Sequence, residues 1–255
     1  LVRYAASLLL DLAKRIGVSI LLVGQVTKDG TLAGPKTLEH LVDVVLSLEG
    51  DPVHAYRLLR ASKNRFGATD EIGVFEMTQK GLEAIRDPSQ RFLSERAAVP
   101  GSVITAAVEG SRVFFVEVQA LVENSAYSMP VRRASGIDQN RLQMLVAILS
   151  KRGGLKLADK DVYVNVIGGM ELKEPAADLA VCAAIAGAFN NRVEPPTMYV
   201  GEVGLGGEVR SVPLVEKRIN EAVRLGIGKA VIPAKSKVST SAIELQKIDS
   251  LTSLT

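Results

Sequence analysis

The 255-residue sequence contains one cysteine, two histidines, no tryptophan and only 4% aromatic residues. A single cysteine excludes an internal disulfide, and we expect Cys182, which lies in an apolar run, to be a small buried side chain. The scattered histidines and the cysteine predict no metal site. Because aromatic residues are few, any contact with nucleic acid would depend on charge more than on base stacking.

The sequence also lacks an apolar run long enough to span a membrane, and no signal peptide is visible. We therefore predict a cytoplasmic protein with no membrane partner. The formal net charge of +3 permits a local basic patch for nucleic acid but does not demonstrate one. The phosphate-binding pattern Gly-x-x-x-x-Gly-Lys-Ser/Thr does not occur anywhere in the sequence.

Residues 1–87 contain an amphipathic helical pattern followed by apolar runs of strand length. The continuous runs at 18–24 and 44–48 are typical of buried parallel strands. The predicted elements of this part are helices at 1–15 and 38–42 and strands at 18–24, 44–48, 56–62 and 71–77. Prolines and charged residues at 88–101 predict a linker.

Residues 102–238 alternate strand and helix patterns, which predicts a layered α/β domain. The predicted strands are 103–107, 113–121, 161–167, 198–203, 208–212 and 229–233, and the predicted helices are 138–151, 176–189 and 214–225. The glycine-rich segment 204–207 predicts a hairpin turn without a ligand, because its spacing matches no phosphate loop. Residues 239–255 are predicted to be a C-terminal tail.

The most informative segment is Lys63-Asn64-Arg65-Phe66-Gly67. Two cations one residue apart project from the same side of an extended backbone, which suits contact with phosphate. The alternative is a basic strand end that is simply solvated.

This segment and residues 27–36 closely resemble the RadA (Sms) family of bacterial DNA-repair ATPases. The resemblance implies a partial RecA-like ATPase sheet at 1–87. It also implies that Lys63 and Arg65 reach the nucleotide of a neighbouring subunit, like the Lys-x-Arg finger of DnaB-type helicases. The four-cysteine zinc motif and the phosphate-binding loop of the family are absent, so we interpret the chain as a C-terminal fragment. Such a fragment is not expected to bind ATP and Mg²⁺ tightly or to hydrolyse ATP alone.

Three polar residues follow the first predicted strand. Gln25 stands at its carboxyl end, where α/β sheets gather ligand contacts, and the resemblance implies a sensor of the terminal phosphate. Lys28 and Lys36 lie in a segment that the resemblance matches to a DNA-contacting loop. The alternatives are a satisfied polar residue for Gln25 and a solvated loop for the two lysines.

Residues 102–235 resemble the proteolytic domain of Lon, which has the α/β fold of ribosomal protein S5 domain 2. The resemblance rests on Glu174-Pro175-Ala176-Ala177-Asp178 and on the segment 201–209. Lon peptidases use a serine nucleophile and a lysine base; here Ala176 and Glu216 stand at those positions. A methyl group and a carboxylate cannot form that dyad. We therefore expect a proteolytically inactive domain.

Arg132, Arg133 and Arg141 are predicted to form a DNA-binding patch, with an ordinary solvated face as the alternative. The family resemblance implies a DNA repair and recombination ATPase that works as a hexameric ring. Its expected partners are single-stranded DNA, branched recombination intermediates and the recombinase RecA. The alternative functions are a Lon-type ATP-dependent serine peptidase and a purely structural ring-forming module.

Overall fold

The computed structural model describes residues 2–24, 37–50, 56–94, 96–168 and 170–254. These residues form a four-stranded antiparallel sheet, a seven-stranded mixed sheet and a two-stranded ribbon. Helices cover both faces of the seven-stranded sheet. The predicted α/β class is confirmed. The order of the two larger sheets along the chain agrees with a partial RecA-like sheet followed by a Lon-like domain.

In the first part of the chain, the described residues 2–24, 37–50 and 56–87 form two helices and a simple antiparallel sheet in sequential order. Its elements are α1 (Val2–Ile16), α2 (Thr37–Leu41), β1 (Val44–Glu49), β2 (Tyr56–Asn64), β3 (Ile72–Thr78) and β4 (Gly81–Ala84).

The prediction of a buried parallel strand at residues 18–24 is wrong. The segment has no regular secondary structure, and Leu21 and Val23 are 82% and 91% exposed. A strand needs a hydrogen-bonded neighbour, and no strand among the described residues pairs with it. β1 does form where predicted, but Leu46 and Leu48 on it are about half exposed. It is an edge strand of an antiparallel sheet, and the prediction that it is buried is wrong.

The segment predicted as a linker contains helix α3 (Pro88–Leu93), which begins after the capping side chain of Asp87. The helix packs on the second sheet, where Ser89 Oγ accepts a hydrogen bond from the backbone N–H of Phe115 at 3.0 Å. The connection between the two parts is therefore folded over much of its length.

The second part contains the seven-stranded sheet in the order β13-β12-β9-β5-β6-β8-β7 and the ribbon β10-β11. Its elements are β5 (Ser102–Glu109), β6 (Arg112–Asn124), β7 (Arg132–Ser135), α4 (Gln139–Arg152), β8 (Lys160–Val166), α5 (Asp178–Phe189), β9 (Thr197–Tyr199), β10 (Glu202–Val203), β11 (Val209–Arg210), α6 (Val215–Arg224), β12 (Lys229–Pro233) and β13 (Glu244–Ile248). The ribbon confirms the predicted hairpin at 204–207. Residues 239–255, predicted as a tail, carry β13, which pairs in parallel with β12 and belongs to the sheet.

Alternation along the central strands divides the domain into two cores. Val103 and Ala107 of β5 face one apolar cluster, which includes buried residues of α4 and α5. Ile104 and Ala106 face the other cluster, which includes residues of α6. Because successive side chains of a strand point to opposite faces, the sheet lies between two helical layers.

Candidate functional site

The Lys-x-Arg segment lies at the tip of a hairpin, which we call the finger hairpin: β2, β3 and the loop 65–71 between them. The side chain of Asn64 organises the tip. Its Oδ1 accepts the backbone N–H of Phe66 at 3.0 Å, and its Nδ2 donates to the carbonyl of Ala68 at 3.3 Å. This local bonding bends the chain sharply directly after β2. The sequence interpretation assigned Asn64 no role, although asparagine in a turn is the signal that could have found it.

The two cations of the finger hairpin have different surroundings. Lys63 Nζ donates to the carbonyls of Glu39 and Val42, each at 2.7 Å, at the end of α2. Arg65 pairs with Asp43 at 3.3 Å, and its side chain remains 57% exposed. Phe66 beside it is 82% exposed. The structure therefore presents Arg65 and Phe66 to solvent and holds Lys63 against the protein.

The loop end of the finger hairpin packs on the turn between β5 and β6. Arg60 donates to Glu109 at 2.6 Å, and the backbone N–H of Ser111 donates to the carbonyl of Asp70 at 2.5 Å. Ile72 and Val74 are buried in the same core as α4 and α5. The hairpin and the second sheet are thus joined through side chains, backbone and a shared apolar core.

The two positions that match the Lon dyad carry a methyl group and a carboxylate rather than a hydroxyl and an amine. Ala176 is 2% exposed within a short 3₁₀ helix, and Glu216 is exposed in the first turn of α6. Glu174 lies two residues before Ala176, and Arg218 lies two residues after Glu216. These two side chains form a partly buried ion pair, in which Arg218 donates to both oxygens of Glu174 at 2.8 and 2.6 Å. Arg218 also donates to the carbonyl of Ala106. The segments that would have to bring a serine and a lysine together are held by an ion pair.

Arg141, predicted to bind DNA, contacts a buried carboxylate. Its guanidinium donates to Asp178 at 2.9 Å through Nε and also through Nη2, and to the carbonyl of Val203 at 2.9 Å. Burial raises the pKa of Asp178, although the hydrogen bonds from Arg141 and from the backbone of Val203 oppose that rise. The sequence analysis missed this pair. A carboxylate at the start of an otherwise apolar helix is the signal that could have indicated a partner.

A cavity of about 490 Å³ lies beside this pair and is lined by Arg141, Asp178 and the segment 171–175. Arg132 and Arg133 lie on β7 at the edge of the sheet, where Arg133 is exposed and Arg132 is half-buried. The three predicted DNA contacts therefore have unequal access to solvent. Gln25, Lys28 and Lys36 lie outside the described residues, and their predicted roles stay predictions.

The prediction of a buried cysteine is confirmed: Cys182 is fully buried in α5, and burial raises the pKa of its thiol. Within the described ranges, no cluster of three or more His, Cys, Asp or Glu side chains could hold a metal ion. None of the helices in these ranges has the length and hydropathy to cross a bilayer.

No protein-family model matches the chain. The DNA repair protein RadA of Synechocystis is 49% identical over 247 residues, which are 96% of this chain and 49% of that protein. The DNA repair proteins RadA of Bacillus subtilis and Escherichia coli are each 48% identical over 235 residues, 91% of this chain and 51% of each protein. The chain thus spans about half the length of these curated relatives. Since 48–49% identity is found in alignments that cover 91–96% of this chain, the chain belongs to the RadA family.

Proposed function

We propose that this chain is the C-terminal part of a DNA repair and recombination ATPase that works as a hexameric ring on single-stranded DNA and branched recombination intermediates. In this proposal the finger hairpin reaches across a subunit boundary to the neighbour's ATP. The observation that carries it is the position of Arg65: a guanidinium at a hairpin tip, more than half exposed and paired only with an exposed carboxylate among the described residues.

Arg65 is better placed than Lys63 to contact phosphate. An exposed ion pair contributes about 0–1 kcal/mol, so Arg65 can leave Asp43 at little cost. Its planar guanidinium can then donate two parallel hydrogen bonds to a phosphate. Lys63 would have to leave two short hydrogen bonds, one to the carbonyl of Glu39 in α2 and one to the carbonyl of Val42 directly after it. We infer that Arg65 contacts the nucleotide and that Lys63 in this conformation fixes the loop end of β2 against the end of α2.

In the proposed reaction, ATP bound with Mg²⁺ supplies the phosphate bond that is cleaved. The polypeptide supplies positive charge next to the terminal phosphate of that ATP. Gln25 is proposed to sense that phosphate, and Lys28 and Lys36 to contact DNA. The exposed apolar run at 18–24 and the exposed face of β1 would pack against the rest of the ATPase domain. RecA is proposed as a further partner.

In the second domain, Arg132 and Arg133 are proposed to contact the DNA backbone from the edge strand β7. Arg141 is proposed to act less directly, because Asp178 holds its guanidinium. A Lon-type peptidase is not favoured, since the buried methyl group of Ala176 stands where that chemistry needs a hydroxyl. The other alternative, a purely structural ring-forming module, would need only the surfaces through which this domain contacts neighbouring subunits.

The test is Arg65→Ala in the full-length protein, with Arg65→Lys beside it and Arg210→Ala as a control at an exposed ion pair. We expect Arg65→Ala to reduce DNA-stimulated ATP hydrolysis by about 10³-fold, the usual effect of losing such an arginine, while the fold is kept. Arg65→Lys should rescue little, because lysine cannot make the bidentate contact. Wild-type rates in both Arg65 variants would refute the proposal. A full-length protein without ATPase activity or DNA binding would favour the structural module.

A further inference from the structure

We propose that one exposed face of β6, β8 and β7 binds single-stranded DNA by stacking a base on Tyr163. These strands form one end of the seven-stranded sheet. We call the surface the open face, and its exposed residues are Leu121, Glu123, Arg133, Ser135, Tyr163 and Asn165. The inference rests on the proposed function, because it names the surface through which the second domain would hold the strand.

The helical layers cover only one side of these strands. Val162 and Val164 of β8 belong to the core that contains residues of α4 and α5. Tyr163 lies between them in the strand and therefore points to the opposite side of the sheet. On that side, the cluster that contains residues of α6 reaches along β6 only as far as Phe115, and among the described residues it includes none from β7 or β8. The cover therefore ends before the open face.

The strand register places Tyr163 between two side chains that suit a nucleotide. Leu121 of β6 and Arg133 of β7 are its direct partners on either side. Residues directly opposite one another share a face and lie about 5 Å apart. Tyr163 is 38% exposed and Leu121 is 62% exposed. An aromatic ring at this position can stack a base, and the neighbouring guanidinium can bind the phosphate next to that base.

The next row of the open face carries uncharged hydrogen-bonding groups. Asn165 lies opposite Gln119 of β6 and opposite Ser135 of β7. This row is two residues along β8 from Tyr163, a distance of about 7 Å. Amide and hydroxyl groups there can bond the edge of a base or a sugar. Glu123, the one carboxylate of the open face, lies two residues from Leu121 in the other direction along β6, away from this row.

The composition of the open face favours a nucleic acid over a second copy of the chain. A stable protein interface buries about 800 Å² on each partner around an apolar centre. Only Leu121 and Tyr163 of the open face are large apolar or aromatic residues, which is too few for such a centre. One ring is enough to stack one base, and sheet faces with exposed aromatic residues bind single strands in this way.

The first experiment measures the anisotropy of a labelled oligo-dT strand with the whole chain. Tyr163→Leu removes the ring, Tyr163→Phe keeps it, and Tyr4→Leu removes an exposed tyrosine from α1 as the control. We expect Tyr163→Leu to weaken binding about tenfold, because it loses the stacking of one base. The other two variants should change the affinity less than twofold. Circular dichroism checks that each variant is folded.

The second experiment separates the base from the backbone with an abasic strand that has the same number of phosphates. Wild type and Tyr163→Leu should bind this strand alike, because it has no base to stack. Arg133→Gln should weaken binding to both strands and reduce the log-log salt slope by about 0.7, the value for one phosphate of a single strand. Tyr163→Leu should leave that slope unchanged, since it removes no charge.

The outcomes distinguish the open face from the proposed function. If wild type and Tyr163→Leu bind oligo-dT equally, or if Tyr163→Leu loses as much affinity for the abasic strand, the open face stacks no base and the proposed function stands. A wild-type chain that binds neither strand would count against both. If sedimentation shows that Tyr163→Leu dissociates an assembly that wild type forms without DNA, the open face is a contact between copies and the proposal is wrong.

Discussion

Replacing Arg218 by methionine tests whether the buried ion pair holds the two segments that correspond to the Lon dyad. The side chain of Arg218 is 1% exposed, and it bonds both oxygens of Glu174 and the carbonyl of Ala106. Methionine keeps most of the volume of the arginine stem but removes all of these donors. The Glu174 carboxylate is then left without its cationic partner.

The expected loss follows from the exposure of the two partners. Removing one member of a buried ion pair costs about 3–5 kcal/mol. The side chain of Glu174 is 26% exposed, so water restores part of its solvation and we expect the lower end, about 3 kcal/mol. In a domain of this size about 1 kcal/mol lowers Tm by about 2–4 °C, which predicts a fall of about 6–12 °C.

The assay is urea unfolding followed by circular dichroism, with calorimetry for Tm. Adding Glu174→Gln to Arg218→Met should recover much of the loss, because it removes the unpaired charge and keeps an acceptor for the N–H of Val108. The control is Arg210→Ala, whose solvent-exposed pair with Glu208 should contribute far less than the pair of Arg218 and Glu174. If Arg218→Met costs no more than this control, the ion pair does not hold the two segments.

Three further predictions concern the packing between the two parts, a helix cap and the DNA face. Gly110→Ala should destabilise the protein by about 2–4 kcal/mol in urea unfolding, because its backbone has φ +58° and its added Cβ would lie 2.1 Å from a carbonyl of the finger hairpin. Gly154→Ala, which is equally left-handed but faces open space, should cost only about 1–2 kcal/mol, and equal destabilisation by the two variants would show that the hairpin packs loosely on this turn. The hydrogen bond from Arg224 on α6 lowers the pKa of Asp87 below its ordinary value of 3.8. The contribution of this carboxylate to the free energy of unfolding is therefore present above pH 3.8 and disappears as the pH falls through the lowered pKa. The stability difference between wild type and Asp87→Asn, which can still cap α3, should therefore shrink in acid, and a constant difference contradicts the linkage. Arg132→Glu/Arg133→Glu should weaken DNA binding and reduce its log-log salt slope by about one unit for each phosphate that the protein no longer neutralises; unchanged slopes would leave these arginines as ordinary solvated charges.

Helices and strands whose apolar spacing can be recognised within one continuous segment are well predicted from the sequence. The predicted bounds of α4 and α6 are each within one residue of the structure at both ends. Their apolar residues recur at helical spacing, and each helix faces a core on its own side of a sheet whose strands also show clear alternation. β5 and β6 follow in the same way from a short turn between two apolar runs.

Features that depend on distant partners could not be predicted in this way. The run at 18–24 has the composition of a buried strand, but a strand forms only beside another strand. Arg218 and Glu174 are 44 residues apart, and Arg141 and Asp178 are 37 apart. Either arginine could equally have been a solvated surface charge, and only the packing of α4, α5 and α6 on the sheet decides which carboxylate it meets.

The burial of Ile72 and Val74 in the core of the second part decides where the protein can be cut for expression. The two side chains are 6% and 3% exposed, and such burial stabilises by about 1.5–3 kcal/mol for each. A piece that begins at residue 102 would open an apolar surface to water and would leave Glu109 without Arg60. A piece that keeps β2, β3 and β4 would retain these interactions, so a boundary upstream of Tyr56 should yield the less aggregation-prone protein.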